Sequence, residues 1–169
     1  MNEQKFKIGG YFTYDHIRDG EIIDSWIEPN IVVDEGLNYT LDAAFSSGSA
    51  IATWYVSLFK NNYTPLSTDV AATFPGGGVA SEATTEYSEA TRPVWTEAGV
   101  VTKSITNTAS PAVFTFASNV TIYGAFLVST STKGGTTGVL AAASKFASSR
   151  AMLTADKLNV TYSLSISST

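Results

Sequence analysis

Hydrophobic and polar residues alternate most regularly along the last part of the chain. Apolar side chains occupy the even positions from Leu158 to Ile166, and Asn, Thr and Ser occupy the odd positions between them. Because side chains along a strand point alternately to its two faces, this alternation places one face in a core and the other in water. The pattern therefore predicts a C-terminal strand over residues 158–167.

Residues 5–33 carry two apolar runs on either side of a short polar turn at residues 18–21. The turn reads Arg-Asp-Gly-Glu, and apolar runs flanking such a turn are typical of a β-hairpin. Gly9 and Gly10 interrupt the first run, which predicts a bulge or a change of direction there. The apolar residues of the two runs are Phe6, Ile8, Tyr11, Phe12, Tyr14, Ile17, Ile22, Ile23, Trp26 and Ile27.

This hairpin carries more apolar side chains than an isolated ribbon can bury, since two strands alone are at best marginally stable. The side chains need a surface to cover, and that surface is either the rest of the chain or a neighbouring subunit. We expect an N-terminal hairpin arm over residues 1–29 that docks on a neighbouring subunit. The remaining residues, 30–169, are expected to form a single β-sandwich domain.

One segment has the periodicity of a helix. Asp34 is a suitable N-cap, and Leu37, Leu41, Ala44 and Phe45 share one helical face. The Ser and Gly residues at 46–49 end the pattern. We therefore predict a helix from Asp34 to Phe45 with that face in the core.

The rest of the chain reads as short strands separated by turns. Residues 54–59 form an apolar run typical of a buried strand, and residues 64–79 have the Pro and Gly content of a long surface loop. Further strands are predicted at 84–94, 100–106, 112–117 and 120–130. Their spacing is typical of sandwiches and barrels. Residues 139–146 are predicted as a strand, with a short helix as the alternative because their alanines permit either. The prediction is a mostly β fold: an antiparallel β-sandwich or jelly-roll-like domain with one short helix and the hairpin arm.

Composition and charge support this fold and exclude several classes of partner. Only 15% of residues are charged, whereas Ser and Thr, which suit the wet face of strands, fill about a quarter of the chain. The net charge is −5 and the basic residues are scattered from Lys5 to Lys157, so nucleic acid is not an expected partner. A membrane is not expected either, because no apolar run approaches about 20 residues. The N-terminal sequence is too polar for a signal peptide, so we expect synthesis in the cytoplasm.

The sequence shows no recognisable catalytic apparatus. His16 is the sole histidine, which is too few for a multi-histidine metal site, and we expect it to be structural. Carboxylates cluster at Glu82, Glu86 and Glu89, and a glycosidase that uses them is the least favoured hypothesis. The chain has no cysteine. We therefore expect no enzyme activity, no cofactor and no bound metal.

Aromatic residues suggest two kinds of binding surface. Trp54, Tyr87 and Trp95 would form a platform for sugar rings if they were exposed on the sandwich, which makes a carbohydrate-binding module an alternative function. Arg and Trp are favoured at the centres of protein interfaces, so Arg92 and Trp95 are candidate anchors. With the aromatic residues of the hairpin, the predicted interface residues are Phe6, Tyr11, Phe12, Tyr14, Trp26, Arg92 and Trp95.

Several segments resemble a known group of proteins. They are residues 30–45 (NIVVDEGLNYTLDAAF), 53–59 (TWYVSLF), 85–95 (TEYSEATRPVW), 110–116 (SPAVFTF) and 122–128 (IYGAFLV). Together they make the chain, over most of residues 30–168, similar to small β-rich virion structural proteins of tailed bacteriophages. The hairpin at residues 1–29 lies outside this likeness.

The resemblance implies a structural protein of the virion. Its expected role is capsid decoration or cement, which stabilises the shell through repeated subunit contacts, and a tail or fibre component is the alternative within the particle. The implied partners are the major capsid protein or other virion proteins. A homo-oligomer is also expected, since most assemblies of this kind are symmetric.

Overall fold

Two antiparallel sheets contain the strands of residues 5–76 and 79–168, which are the residues that the computed structural model describes. The first sheet has the order β2-β1-β10-β6, with β7 also paired to β10, and the second has the order β3-β9-β8-β4-β5. The elements are β1 (Phe6–Arg18), β2 (Glu21–Pro29), β3 (Ile31–Val32), α1 (Asp34–Phe45), β4 (Trp54–Phe59), β5 (Val94–Trp95), β6 (Ser104–Thr106), β7 (Ala112–Thr115), β8 (Val120–Val128), β9 (Leu140–Met152) and β10 (Lys157–Ser168).

The main core lies between the two sheets. Phe12 and Tyr162 of the first sheet and Leu58 and Ile122 of the second are among its fully buried or nearly fully buried members. On β10 the even positions from Leu158 to Tyr162 are buried, as the alternation predicted. This arrangement confirms a mostly β, antiparallel, sandwich-like fold.

The N-terminal hairpin forms, but it does not project as an arm. β1 pairs with β10 from Phe6↔Ser168 to Ile17↔Lys157, and Phe12 and Tyr14 of β1 are fully buried in the main core. The predicted separation of residues 1–29 from the domain is therefore wrong. The hairpin packs on its own domain because β10 needs a neighbouring strand along its length, and β1 supplies that strand.

The glycine pair in β1 does not make the predicted bulge. Gly9 and Gly10 keep an uninterrupted register with β10, and the irregularity lies between His16 and Ile17, where β1 meets β2. Gly10 is required for another reason, because a Cβ there would collide with the backbone carbonyl of Ser163.

The helix α1 has the predicted bounds but a different orientation. Its N-cap is Val33, without a side-chain cap hydrogen bond, and Asp34 lies in the first turn. The helix contacts β9 through Gly36, where a Cβ would lie 2.5 Å from the carbonyl oxygen of Ala141. This close approach turns the predicted core face outward, so that Leu41 is 61% exposed and Phe45 is 85% exposed.

Residues 60–76 and 79–83 cover part of the outer face of the second sheet. Phe74 of this segment is fully buried and packs edge-on against Phe59 and Phe126 of the sheet. The prediction of a surface loop at 64–79 was therefore wrong for this buried part, while residues 77 and 78 lie outside the described residues. As a result the central part of the second sheet, which includes Phe59 and Phe126, is buried on both faces.

Two of the predicted strands are much shorter than expected. Residues 84–94 are mostly irregular and end in β5, and residues 100–106 yield only β6. In the first of these segments the backbone N–H groups of Thr84 and Thr85 donate to the carboxylate of Glu86 instead of to a neighbouring strand. Local side-chain bonds of this kind compete with ladder pairing. By contrast, β4 and β7 to β10 form as predicted, β9 extending well beyond its predicted end.

Candidate interaction surface

Arg92 is an interior residue and not a surface anchor. Its guanidinium is fully buried and pairs with Glu82, with Nε to Oε1 at 2.8 Å and Nη2 to Oε2 at 2.7 Å. The remaining donors reach the backbone carbonyls of Thr130 and Gly135. A guanidinium satisfied in this way stabilises the fold and is not available to a partner.

The same ion pair holds the loop that joins β8 to β9. Glu82 also accepts hydrogen bonds from the Ser57 hydroxyl and from the Gly134 backbone N–H at 2.7 Å. Lys133 of this loop lies 3.8 Å from the centre of the Tyr87 ring and donates to the Tyr87 carbonyl. These contacts fix the loop to the segment that precedes β5.

The other two clustered carboxylates are engaged by the fold in the same manner. Lys60 donates to Glu86 at 2.6 Å, and both oxygens of Glu89 accept from the Thr115 N–H at 3.1 Å. Partial burial raises the pKa of Glu86, but hydrogen bonds from Lys60 and the backbone outweigh it and hold that pKa below its ordinary value. Each carboxylate of the cluster thus has a structural partner.

A second charged cluster lies at the end of β1 that leads into β2. Asp156 accepts from Arg18 Nε at 2.8 Å and Nη2 at 2.7 Å, from the Leu153 N–H at 2.8 Å, and contacts His16 Nε2 at 2.7 Å. The Arg18 guanidinium is the main reason that the pKa of Asp156 lies well below its ordinary value. His16 therefore takes part in a buried hydrogen-bonded cluster around Asp156.

The described residues contain no group of three or more His, Cys, Asp or Glu side chains that could hold a metal ion. Nor does any helix among them have the length and apolar character needed to cross a membrane.

The three aromatic residues proposed as a sugar platform do not form one. Tyr87 and Trp95 are buried, and the Trp95 indole N–H donates to the backbone carbonyl of Tyr162 at 3.1 Å. Trp54 is partly buried and contacts Tyr39 edge-on at 5.4 Å between ring centroids. Because two of the three rings face the interior, stacking on an extended sugar at this set is excluded.

The structure divides the predicted interface residues. Phe12, Tyr14, Arg92 and Trp95 are interior, which corrects their assignment as interface anchors. Trp26 is partly buried: it stacks on Tyr14 at 5.0 Å and is covered by the guanidinium of Arg150 at 4.5 Å. Phe6 and Tyr11 remain at the surface.

Phe6 lies at an end of the first sheet where no residue of the second sheet lines the surface around it. Phe6 and Ile8 of β1 lie on the same face as Phe12, but here α1 covers the sheet only in part, and Phe6 is 83% exposed. Ile8 is paired in register with Ile166 of β10, which is 41% exposed. The inner face of the sandwich thus continues into solvent at this end.

Helix α1 forms the other wall of this exposed region. Leu37 and Leu41 line, with Phe6 and Ile8, a groove of about 570 Å³. Phe45 follows one turn later on the same helical face, since residues four apart are neighbours on a helix. On the far side of Phe6, a second groove of about 340 Å³ is lined mainly by apolar side chains of the first sheet and the loop before β6.

We call this surface the apolar end. It comprises Phe6, Ile8, Leu37, Leu41, Phe45, Val100, Ile105, Leu164 and Ile166. Sequence reasoning identified Phe6 but placed the helical residues in the core. The spacing of Leu37, Leu41 and Phe45 shows that they share one face of the helix. The spacing does not show whether another part of the chain covers that face.

A separate polar groove lies around the glycine pair of β1. It measures about 460 Å³ and is lined by Lys7, Ile8, Gly9, Gly10, Tyr11, Asn30, Ser165 and Ser167. Tyr11 is 45% exposed, and a Cβ on Gly9 would meet no atom within 4 Å. The groove therefore combines an aromatic ring, an amide, hydroxyls and an open floor.

Comparison of the chain with models of known protein families finds no family that matches, and comparison with curated proteins finds no match either.

Proposed function

We propose that this chain is a structural subunit of a protein assembly, namely a decoration or cement protein bound to the capsid of a tailed-bacteriophage particle. The observation that carries the proposal is the apolar end, where Phe6 and Phe45 are more than four-fifths exposed. Soluble proteins that act alone rarely leave large contiguous apolar patches in water, and such patches mark sites of protein contact.

The energetics favour a contact that covers the whole apolar end. The rings of Phe6 and Phe45 together expose roughly 250–400 Å², taking about 150–250 Å² for a buried aromatic side chain. At about 25 cal/mol per Å², their burial contributes roughly 6–10 kcal/mol. Association itself costs about 4–15 kcal/mol, so stable binding requires the neighbouring Leu, Val and Ile side chains as well.

The interior and the outer face of the first sheet suit a subunit that is displayed on a particle. The buried Arg92–Glu82 pair and the Asp156 cluster fix the loops at the two ends of the sandwich. The outer face of β10 presents small hydroxyl and amide side chains. The resemblance of residues 30–168 to small virion proteins is the reason for choosing a phage particle, with the major capsid protein as the shell partner.

Particles assembled without this protein provide the test. They are made from a phage genome in which its reading frame is deleted, and the purified chain is then added. We expect saturable binding in a regular array by electron cryomicroscopy and a higher temperature of shell disruption. The absence of binding to shells, with the protein shown to be folded, would contradict a cement role.

The alternative location within the virion is the tail or its fibres. Gold labelling of the chain on complete particles separates the two locations, because label on the shell supports decoration and label on the tail supports the alternative.

The polar groove favours a second candidate function, which is the binding of a glycan. Aromatic rings stack on sugars, and the hydroxyl and amide groups of Ser165, Ser167 and Asn30 would supply hydrogen bonds. A screen of glycans followed by NMR titration tests this function. Binding that is lost in Tyr11→Ala and retained in Tyr55→Phe would support it, and no binding by the unmodified chain would exclude it.

A further inference from the structure

Phe6 forms a ridge between the two grooves of the apolar end. One groove lies between this residue and α1, and the other between it and the loop before β6. The side chain is 83% exposed, so it contacts neither wall closely enough to fill either groove. A single surface thus presents both a protruding aromatic group and apolar depressions beside it.

We propose that the apolar end binds the apolar end of a second copy of this chain about a twofold axis, with each Phe6 entering a groove of the other copy. The inference rests on the proposed function as an assembly subunit. It names a second copy as the partner of the apolar end, so that the shell contacts other surfaces of the dimer. In a twofold contact the same patch is used by both copies, so the patch must be complementary to itself. A ridge flanked by grooves meets that condition.

The grooves are large enough for the ring. A closed apolar cavity of about 150 Å³ accommodates benzene. The two grooves of the apolar end are open to solvent, measure about 570 and 340 Å³ and are lined largely by apolar side chains. The phenyl group of Phe6 therefore fits either groove, with room for part of a neighbouring side chain.

The charges around the apolar end are also complementary under a twofold operation. Lys7 and Lys103 lie on its sheet flank, whereas α1 carries the exposed acidic residues Asp34 and Asp42 and no basic residue. Opposite flanks meet when the sheet flank of one copy faces the helix flank of the other. Like charges then stay apart and opposite charges come together, which favours this partner and this orientation.

The extent of the surface is appropriate to a second copy rather than to a small ligand. A standard interface buries about 800 Å² on each partner. Phe6, Leu41, Phe45 and Val100 are each more than three-fifths exposed, and they are flanked by both grooves. Together with a polar rim, this surface is of the order that a stable dimer needs.

The test is the mass of the isolated full-length chain by sedimentation equilibrium over a range of concentrations. We expect a monomer–dimer equilibrium. In a twofold dimer each substitution occurs once in each copy. Loss of one hot-spot residue weakens binding about thirtyfold, so we expect Leu41→Asp or Phe6→Asp to raise the dimer Kd by roughly a thousandfold. Ile27→Asp is the matched control, because Ile27 is 60% exposed and Leu41 is 61% exposed, and it lies away from the apolar end. It should leave the Kd unchanged.

A charge reversal tests the orientation. Lys7→Glu with Lys103→Glu should weaken the dimer, and adding Asp34→Lys with Asp42→Lys to the same chain should restore it. If the variant with all four substitutions dimerises more weakly still than the variant with two, the twofold arrangement is wrong. Circular dichroism of every variant shows whether it is folded.

The remaining outcomes are equally decisive. A monomer at all concentrations, or open-ended growth of the mass beyond a dimer, would overturn the proposal. Equal weakening by Ile27→Asp would do the same. A monomeric chain that still binds shells would overturn the dimer alone, whereas a dimer that binds no shell would contradict the proposed function alone.

Discussion

Arg92 and Glu82 form a two-point ion pair in the interior, with both side chains almost completely out of contact with solvent. Burial removes the hydration of both charges, so each depends on the other and on the surrounding hydrogen bonds. The pair connects the segment before β5 with the loop between β8 and β9. Loss of the pair would therefore destabilise both the segment before β5 and the loop between β8 and β9.

Removal of one partner should be costly. We expect Arg92→Met to lower the free energy of unfolding by about 3–5 kcal/mol, because Glu82 would remain buried without its counter-charge. The double variant Arg92→Met, Glu82→Met should recover a large part of this loss. Urea unfolding measures both. Arg150→Met is the control, since Arg150 is partly exposed, lies 3.3 Å from Asp24 and covers Trp26, and it should cost no more than about 1–2 kcal/mol.

The depressed pKa of Asp156 predicts a loss of stability in acid. The pKa of Asp156 is lower in the folded chain than its value of about 3.9 in the unfolded chain. The ionised carboxylate therefore stabilises the fold above about pH 3.9, and this stabilisation is lost as the pH falls from there toward the pKa of the folded state. We expect Asp156→Asn to be less stable at neutral pH and to show a flatter fall in melting temperature between about pH 5 and pH 2. Asp24→Asn, at a half-exposed pair, should resemble the unmodified chain. An acid profile of Asp156→Asn parallel to that of the unmodified chain would refute this role.

The first strand should be indispensable for folding. Phe12→Ala is expected to cost about 3–5 kcal/mol because it opens a cavity in the main core. Tyr11→Ala, its neighbour on the opposite face, should cost much less. Deletion of residues 1–28 should abolish cooperative unfolding. A deleted chain that melts like the full one would restore the idea of a separate arm.

Two glycines should respond in opposite ways to the same substitution. Gly36→Ala would place a Cβ 2.5 Å from the Ala141 carbonyl oxygen, so it should destabilise by about 1–3 kcal/mol although Ala favours helices. Gly9→Ala meets no atom within 4 Å and should be neutral or slightly stabilising. Thermal melting compares the two. A stabilised Gly36→Ala would mean that α1 is not held against β9 by this contact.

Local patterns were sufficient to predict the elements that depend on local chemistry. The alternation in β10, the apolar run of β4 and the bounds of α1 follow from side-chain periodicity and from residues that end an element. The burial of Phe12 and the exposure of Phe45 do not follow from such patterns. Both depend on which surface another segment covers, and that is a property of the tertiary arrangement.

The same limit explains what was missed in the candidate surface. Phe6 and Phe12 have equal hydrophobicity and the same parity on β1, yet one is exposed and the other is in the core. The difference arises because no residue of the second sheet lines the grooves on either side of Phe6. Likewise, Arg92 was a reasonable interface candidate by residue type, and only its pairing with Glu82 shows that it is internal.

Burial of the apolar end is tested by measuring how accessible this surface is in the assembled particle. Because the chain has no cysteine, Ala44→Cys introduces a single thiol on exposed helix surface beside Phe45, and Ser149→Cys introduces an exposed control on β9. The rate of thiol labelling is measured on isolated protein diluted below the dimer Kd and on the protein bound to shells. We expect strong slowing at position 44 and little change at position 149 upon assembly. Equal labelling rates of Ala44→Cys in the two states would contradict burial of the apolar end.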